Sequence, residues 1–144
     1  MSGMPARAEP LPFFVYGTLR AGQRHYAWTL RGRTTREEPA VLAGAMLYEG
    51  PGFPYAVAVP DGGHEASPAR GERATITGEL MYVPEPAFDE VLATLDRLEG
   101  PDYDRLVVRV LDGTRAWTYL AADPLATRLR TTGTPIPSGD WLAR

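Results

Sequence analysis

Residues 13–20 read FFVYGTLR, and this stretch predicts a buried strand that ends abruptly in a tight turn. The apolar, aromatic run from Leu11 to Tyr16 is typical of a short buried strand, and Gly17 ends it. A strand that enters such a turn can direct successive backbone N–H groups at one point, which makes a cradle for a carboxylate or phosphate. Arg20 could add positive charge there, and Tyr16 could add a hydroxyl or an aromatic wall. The alternative is an ordinary strand-to-turn transition without a ligand.

The rest of the chain predicts an α+β fold in which most strands follow one another through hairpins. Further strands are predicted at residues 40–48, 53–59, 74–82, 105–111 and 115–121. A short helix is predicted at residues 25–30, and a longer one ends at Glu99, just before Gly100. Residues 60–73 and the last twenty residues are predicted to be loops. Hairpin connections favour α+β over a doubly wound parallel sheet.

The helical period predicts that Glu99, a charged residue of the long helix, faces the core. At about 100° per residue, it falls within the arc of Phe88, Leu95 and the other apolar residues, whereas most other charged residues of the helix fall outside that arc. Burial and the carboxyl end of a helix both raise the pKa of a carboxyl group, which makes it a usable base. The alternative is that the helix frays before Gly100 and leaves Glu99 exposed.

The composition is that of one ordinary globular domain. We expect residues 1–10 to form a flexible tail and residues 11–144 the domain. The net charge of −3 and the scattered arginines give no basic stripe for nucleic acid, and no apolar run approaches the roughly 20 residues of a transmembrane helix. There is no cysteine, and the first residues lack the apolar core of a signal peptide, so we expect a cytoplasmic protein. Lysine and asparagine are both absent, which favours a GC-rich bacterial gene.

Few other residues suggest chemistry. His25 and His64 are predicted at the surface without further ligands at metal spacing, and the three serines lie outside a nucleophile-elbow pattern, so no metal site or serine triad is expected. Arg105 is predicted to form a local ion pair with a neighbouring aspartate. Five aromatic residues could line a pocket or simply pack in the core: Phe53, Tyr55, Tyr103, Trp117 and Tyr119.

Two segments together resemble the γ-glutamylcyclotransferase superfamily. They are the turn Tyr16-Gly17-Thr18-Leu19 and the helix end Leu95-Asp96-Arg97-Leu98-Glu99-Gly100. Other segments follow in the order typical of that family: Gly78-Glu79-Leu80, Tyr103-x-Arg105, Ala116-Trp117-x-Tyr119 and the closing run Ile136-Pro137-Ser138-Gly139-Asp140-Trp141.

The resemblance implies a mixed, barrel-like sheet flanked by a few helices, and an enzyme that converts a γ-glutamyl amine or peptide to 5-oxoproline and a free amine. It implies Glu99 as the catalytic acid and base, without a cofactor or metal. Substrate-binding roles are implied for Tyr16, Gly17, Thr18, Leu19, Tyr103 and Tyr119. The expected partner is a small γ-glutamyl substrate, with neither nucleic acid nor membrane; the oligomeric state stays open. The alternative is a non-catalytic module of the same fold that binds a small metabolite or another protein.

Overall fold

A five-stranded mixed sheet forms the centre of this computed structural model, which describes residues 8–59 and 74–144. The described strands are β1 (Phe13–Val15), β2 (Arg36–Ala43), β3 (Ala45–Tyr48), β4 (Tyr55–Ala58), β5 (Thr75–Tyr82), β6 (Tyr103–Arg109) and β7 (Arg115–Ala121). The described helices are α1 (Tyr26–Thr29), α2 (Phe88–Glu99) and α3 (Leu125–Thr132), followed by a 3₁₀ turn at Trp141–Ala143. The order in the main sheet is β2-β5-β1-β7-β6, and β3 pairs with β4 in a second sheet. The predicted α+β fold is confirmed.

The main sheet curls without closing into a full barrel. Its edge strands are β2 and β6, and they approach each other at one end, where the backbone N–H of Leu111 donates to the carbonyl of Val41 at 2.9 Å. Neighbouring strands in this sheet pair antiparallel, except for β1 and β7, which run parallel. The sheet is therefore barrel-like, with one hydrogen bond between its edges in place of a closing ladder.

Strand β1 lies in the middle of the sheet and is buried on both faces. Phe13 packs towards α2, where its ring stacks on Phe88 at a centroid distance of 5.4 Å. Phe14 packs on the opposite face, in a cluster with Ile76 and Leu80. Because successive residues of a strand point to opposite faces, a strand covered on both sides needs an unbroken apolar run, which is what this segment supplies.

Helix α2 packs on the sheet through the apolar stripe that its sequence predicts. Phe88, Val91 and Leu95 are completely buried. The helix continues to Glu99, and Gly100 ends it with a φ of 78°, a left-handed conformation that glycine adopts without steric cost. The alternative of an early fraying is therefore wrong.

Two sequence-based predictions of secondary structure are corrected. The single strand predicted at residues 40–48 is divided at Gly44, whose φ of 83° turns the chain between β2 and β3. The last twenty residues are not all loop, because α3 covers Leu125–Thr132. This helix is short, yet its buried Leu125 and Leu129 pack with Val57 of β4 and so hold the second sheet in place.

The predicted tail and the predicted loop at residues 60–73 lie largely or wholly outside the described residues. Of the tail, residues 8–10 are described, and they contact β7. The carbonyl of Glu9 accepts a hydrogen bond from the Trp117 indole at 2.8 Å, and its carboxylate pairs with Arg115 at 3.2 Å. Within the described ranges, every helix is too short or too polar to cross a bilayer.

Candidate functional site

A cavity of about 360 Å³ opens between the turn after β1 and the carboxyl end of α2. Residues of β6, β7 and the segment between β3 and β4 complete its wall. The structure brings all seven site residues predicted from the sequence to this one cavity: Tyr16, Gly17, Thr18, Leu19, Glu99, Tyr103 and Tyr119. Their chemical roles are a separate question, which their contacts address.

The turn after β1 is held by its own backbone hydrogen bonds, and three of its N–H groups have no acceptor among the described residues. The N–H of Arg20 donates to the Gly17 carbonyl at 3.0 Å, and the N–H of His25 donates to the Thr18 carbonyl at 2.9 Å. The N–H groups of Gly17, Thr18 and Leu19 donate to no other described residue. Three consecutive amides beside a cavity are the arrangement that binds an anion such as a carboxylate.

Gly17 is required by close approach rather than by its backbone conformation. A Cβ at this position would lie 2.7 Å from Cδ of Pro54 and 2.8 Å from its Cγ, which is too short for any real contact. Its φ is not in the left-handed region. The turn can therefore lie against Pro54 only because residue 17 has no side chain.

Glu99 places a carboxylate in the cavity with no neutralising partner. Within residues 8–59 and 74–144, its side chain has no hydrogen bond and no ion pair. Burial raises its pKa from 4.5 to about 7, because the charged form loses part of the hydration that it has in water. A carboxyl group with this pKa can both accept and return a proton near neutral pH.

The Tyr16 hydroxyl is committed to the fold. It donates to the backbone carbonyl of Tyr119, and this bond links the end of β1 to β7. Burial, and then the nearby Glu99, raise the pKa of Tyr16 well above its ordinary value. Of the two uses considered from sequence, the structure favours the aromatic wall over a hydroxyl offered to a ligand.

Tyr119 and Tyr103 also line the cavity. The Tyr119 hydroxyl donates to Oδ1 of Asp96 at 2.5 Å, and burial together with this bond raises its pKa. The Tyr103 ring stacks on Tyr55 with centroids 6.3 Å apart. Burial first, and Glu99 second, raise the pKa of Tyr103, so its hydroxyl stays protonated at neutral pH and remains a donor.

The arginines near the turn divide into structural and cavity residues. Arg20 is buried, and its guanidinium pairs with Glu79 at 3.3 Å and Asp140 at 2.9 Å, so it ties the turn to β5 and to the chain end. Arg24, which no pattern in the sequence indicates as a site residue, lines the cavity instead. No local sequence motif indicates Arg24, because it reaches the cavity only when the segment after the turn folds back towards it.

Arg105 forms an ion pair, but with a different aspartate from those that the sequence suggested. Its Nε lies 2.9 Å from Oδ1 of Asp96 on α2. The adjacent Asp104 belongs to the same strand, so its side chain leaves by the opposite face, and Asp102 precedes the strand. The predicted local pair was therefore wrong in its partner.

His25 also differs from its prediction as a surface residue. It is half-buried and lines the cavity, with Nδ1 at 2.8 Å from the Thr18 hydroxyl. Burial, and then the charge of Arg24, lower its pKa, so the ring is neutral at pH 7. Within the described residues, no three His, Asp or Glu side chains are grouped to hold a metal, and His64 lies outside them.

Comparisons with known proteins identify the family and the fold. The family model described as "Gamma-glutamyl cyclotransferase, AIG2-like" matches residues 13–143. No curated protein matched the chain. An uncharacterized protein from Pyrococcus horikoshii superposes with a TM-score of 0.62 at 24% identity, over 91% of this chain and 89% of that one. An AIG2-like protein from Mus musculus gives 0.58 at 22% identity, over 81% and 82%. YkqA from Bacillus subtilis superposes with a TM-score of 0.63 at 25% identity, over 91% of this chain and 39% of the YkqA chain.

Proposed function

The chain belongs to the gamma-glutamyl cyclotransferase, AIG2-like family, and from this membership we propose that it converts a γ-glutamyl amine or peptide to 5-oxoproline and a free amine. The observation that carries the proposal is the Glu99 carboxylate, whose pKa is raised to about 7, in a cavity shared with three backbone N–H groups; within residues 8–59 and 74–144, neither the carboxylate nor these N–H groups have a hydrogen-bond partner. A base on one wall and an anion cradle on another are what the cyclisation needs.

The substrate supplies much of the rate itself. Its α-amine and γ-carbonyl close a five-membered ring within one molecule, so the protein only has to hold the glutamyl group folded back. In our proposal, the N–H groups of Gly17, Thr18 and Leu19 bind the α-carboxylate. The rings of Tyr16, Tyr103 and Tyr119 wall the cavity against the folded chain.

Glu99 would then move protons in both directions. It takes one proton from the α-ammonium, and the freed amine attacks the γ-carbonyl carbon to form a tetrahedral intermediate. As the C–N bond to the leaving group breaks, Glu99 returns a proton to the departing nitrogen. After ring closure the attacking nitrogen still carries a second ammonium proton too many, and Glu99 takes this proton as well and passes it to the released amine. The lactam nitrogen thus keeps one of the three ammonium protons, the other two leave on the expelled amine in its ammonium form, and Glu99 ends as it began. Such acid–base catalysis is worth about 10²- to 10⁴-fold in rate. These steps balance without a cofactor.

The alternative function is a non-catalytic module that binds a small acidic metabolite in the same cavity. The two differ in what a Glu99→Gln variant loses. An enzyme loses turnover and keeps affinity, whereas a binding module has no turnover to lose and keeps or gains affinity for an anionic ligand.

The test is to incubate the protein with γ-glutamyl amino acids, γ-glutamyl amines and glutathione, and to measure 5-oxoproline by mass spectrometry. The matched control is Glu90→Gln, the same change on the exposed face of α2, away from the cavity. We expect product from the wild type and from Glu90→Gln, and at least 100-fold less from Glu99→Gln. Saturable binding of 5-oxoproline without any product, in a folded wild type, would favour the binding module.

A further inference from the structure

A second cleft of about 430 Å³ adjoins the cavity and shares Thr18 and Arg24 with it. Gln23, Trp141 and Arg144 form other parts of its wall. The first cavity, at about 360 Å³, lies near the lower end of the size range of small-molecule sites. A ligand whose glutamyl part fills that cavity can extend past Thr18 into the second cleft.

Arg24 stands at the junction of the two cavities with its charge uncompensated. One guanidinium nitrogen donates to the carbonyl of Gly52 at 3.1 Å, and within the described residues the side chain has no carboxylate partner. Both terminal guanidinium nitrogens lie 3.7 Å from the point where a Cβ would stand on Gly52, whose φ is 88°. The exposed Arg24 side chain thus contacts the backbone through one hydrogen bond, and its other guanidinium donors have no carboxylate partner among the described residues, in contrast to Arg20 with its two carboxylates.

Arg144 adds a second positive charge to the cleft, but its guanidinium already has partners within the protein. Its guanidinium lies 3.6 Å over the Trp141 ring and 3.4 Å from a carboxylate oxygen of Glu49. The cleft thus has one free and one shared guanidinium and, among its described lining residues, no acidic side chain. Arginine binds carboxylates in a forked geometry that suits such a site.

We propose that this cleft receives the leaving group and selects leaving amines that carry a carboxylate, with Arg24 as the residue that binds it. The inference rests on the proposed cyclotransferase function and narrows its substrates. It assigns γ-glutamyl amino acids and short γ-glutamyl peptides as the substrate class, in preference to neutral γ-glutamyl alkylamines.

The test compares two substrates that differ only in the leaving-group carboxylate: γ-glutamyl-alanine and γ-glutamyl-ethylamine. The readout is kcat/KM for 5-oxoproline formation. We expect the wild type to prefer γ-glutamyl-alanine by about 10-fold or more, and Arg24→Met to lower kcat/KM for it by about 10- to 100-fold, as expected for loss of a charged hydrogen bond. For γ-glutamyl-ethylamine, Arg24→Met should change kcat/KM by less than about 2-fold, which also shows that the variant is folded. Arg128→Met, at an exposed arginine of α3 outside both cavities, is the matched control and should change neither substrate.

The remaining outcomes separate this inference from the function on which it rests. An equal loss on both substrates in Arg24→Met means that Arg24 binds the glutamyl α-carboxylate, and it overturns the inference. Equal turnover of both substrates by the wild type, unchanged in Arg24→Met, overturns the inference alone. A wild type that converts neither substrate overturns the proposed function and this inference with it.

Discussion

The burial of Glu99 has a thermodynamic consequence that can be measured without any substrate. Its pKa is about 7 in the folded protein, against 4.5 for an ordinary glutamate. The folded state therefore binds this proton more tightly than the unfolded state does. The group's contribution to stability is fully present below about pH 4.5 and is lost as the pH rises through about 7. Above pH 7 the protein carries an ionised carboxylate in a site that hydrates it less well than bulk water does.

The size of the effect follows from the two pKa values. A pKa difference of about two and a half units corresponds to roughly 3.5 kcal/mol, since each unit is worth about 1.4 kcal/mol. Water that reaches the half-buried side chain screens part of this, so we expect about 2–3 kcal/mol. Glutamine has nearly the same shape and no charge. Glu99→Gln should therefore raise the free energy of unfolding relative to the wild type by about 2–3 kcal/mol more at pH 8 than at pH 4.5.

The assay is urea-induced unfolding of the wild type, Glu99→Gln and Glu90→Gln at pH 4.5 and at pH 8. All other titrating groups cancel in the difference between wild type and variant, so only residue 99 or residue 90 is compared. The exposed Glu90→Gln should show a difference between the two pH values below about 0.5 kcal/mol. If Glu99→Gln shows no more pH dependence than this control, the carboxylate is hydrated and the reasoning about its role as a base is refuted.

Three further predictions follow from the same geometry. The acid limb of kcat/KM should have an apparent pKa of about 7, because protonation of Glu99 removes the base; a limb near pH 4.5 would contradict the assignment. Gly17→Ala should lower product formation at least 10-fold, because its Cβ would lie 2.7 Å from Pro54, and the added change Pro54→Ala should restore part of it; equal activity of the single and double variants would disprove the clash. Tyr16→Phe should destabilise the protein by about 1–3 kcal/mol in urea unfolding, because it leaves the buried Tyr119 carbonyl unpaired, while kcat stays within about 5-fold. A loss of kcat without a loss of stability would instead assign the hydroxyl to the reaction.

The positions of residues that follow from the local helix or strand period could be predicted from the sequence. The apolar period of α2 placed Glu99 on the inward face, and the buried run before Gly17 gave the central strand. In both cases the information lies within one turn of helix or one strand, where geometry fixes which residues share a face.

Features that depend on tertiary contact could not be predicted in this way. Arg24 reaches the cavity because the chain after the turn folds back on itself, and Arg105 finds Asp96 across two elements. Helix α3 could not be predicted for another reason. Its eight residues include several threonines and arginines, and its few apolar residues form a recognisable face only through their packing against β4.

The short segment between β3 and β4 touches both ends of the proposed substrate site. Through Pro54 it lies against Gly17 of the turn, and through the Gly52 carbonyl it accepts a hydrogen bond from the guanidinium of Arg24. On our proposal, affinity for the glutamyl group and preference for the leaving group therefore cannot be tuned separately by changes in this segment. An engineer who exchanges it for the equivalent segment of a relative should expect the two properties to move together, as one inherited unit.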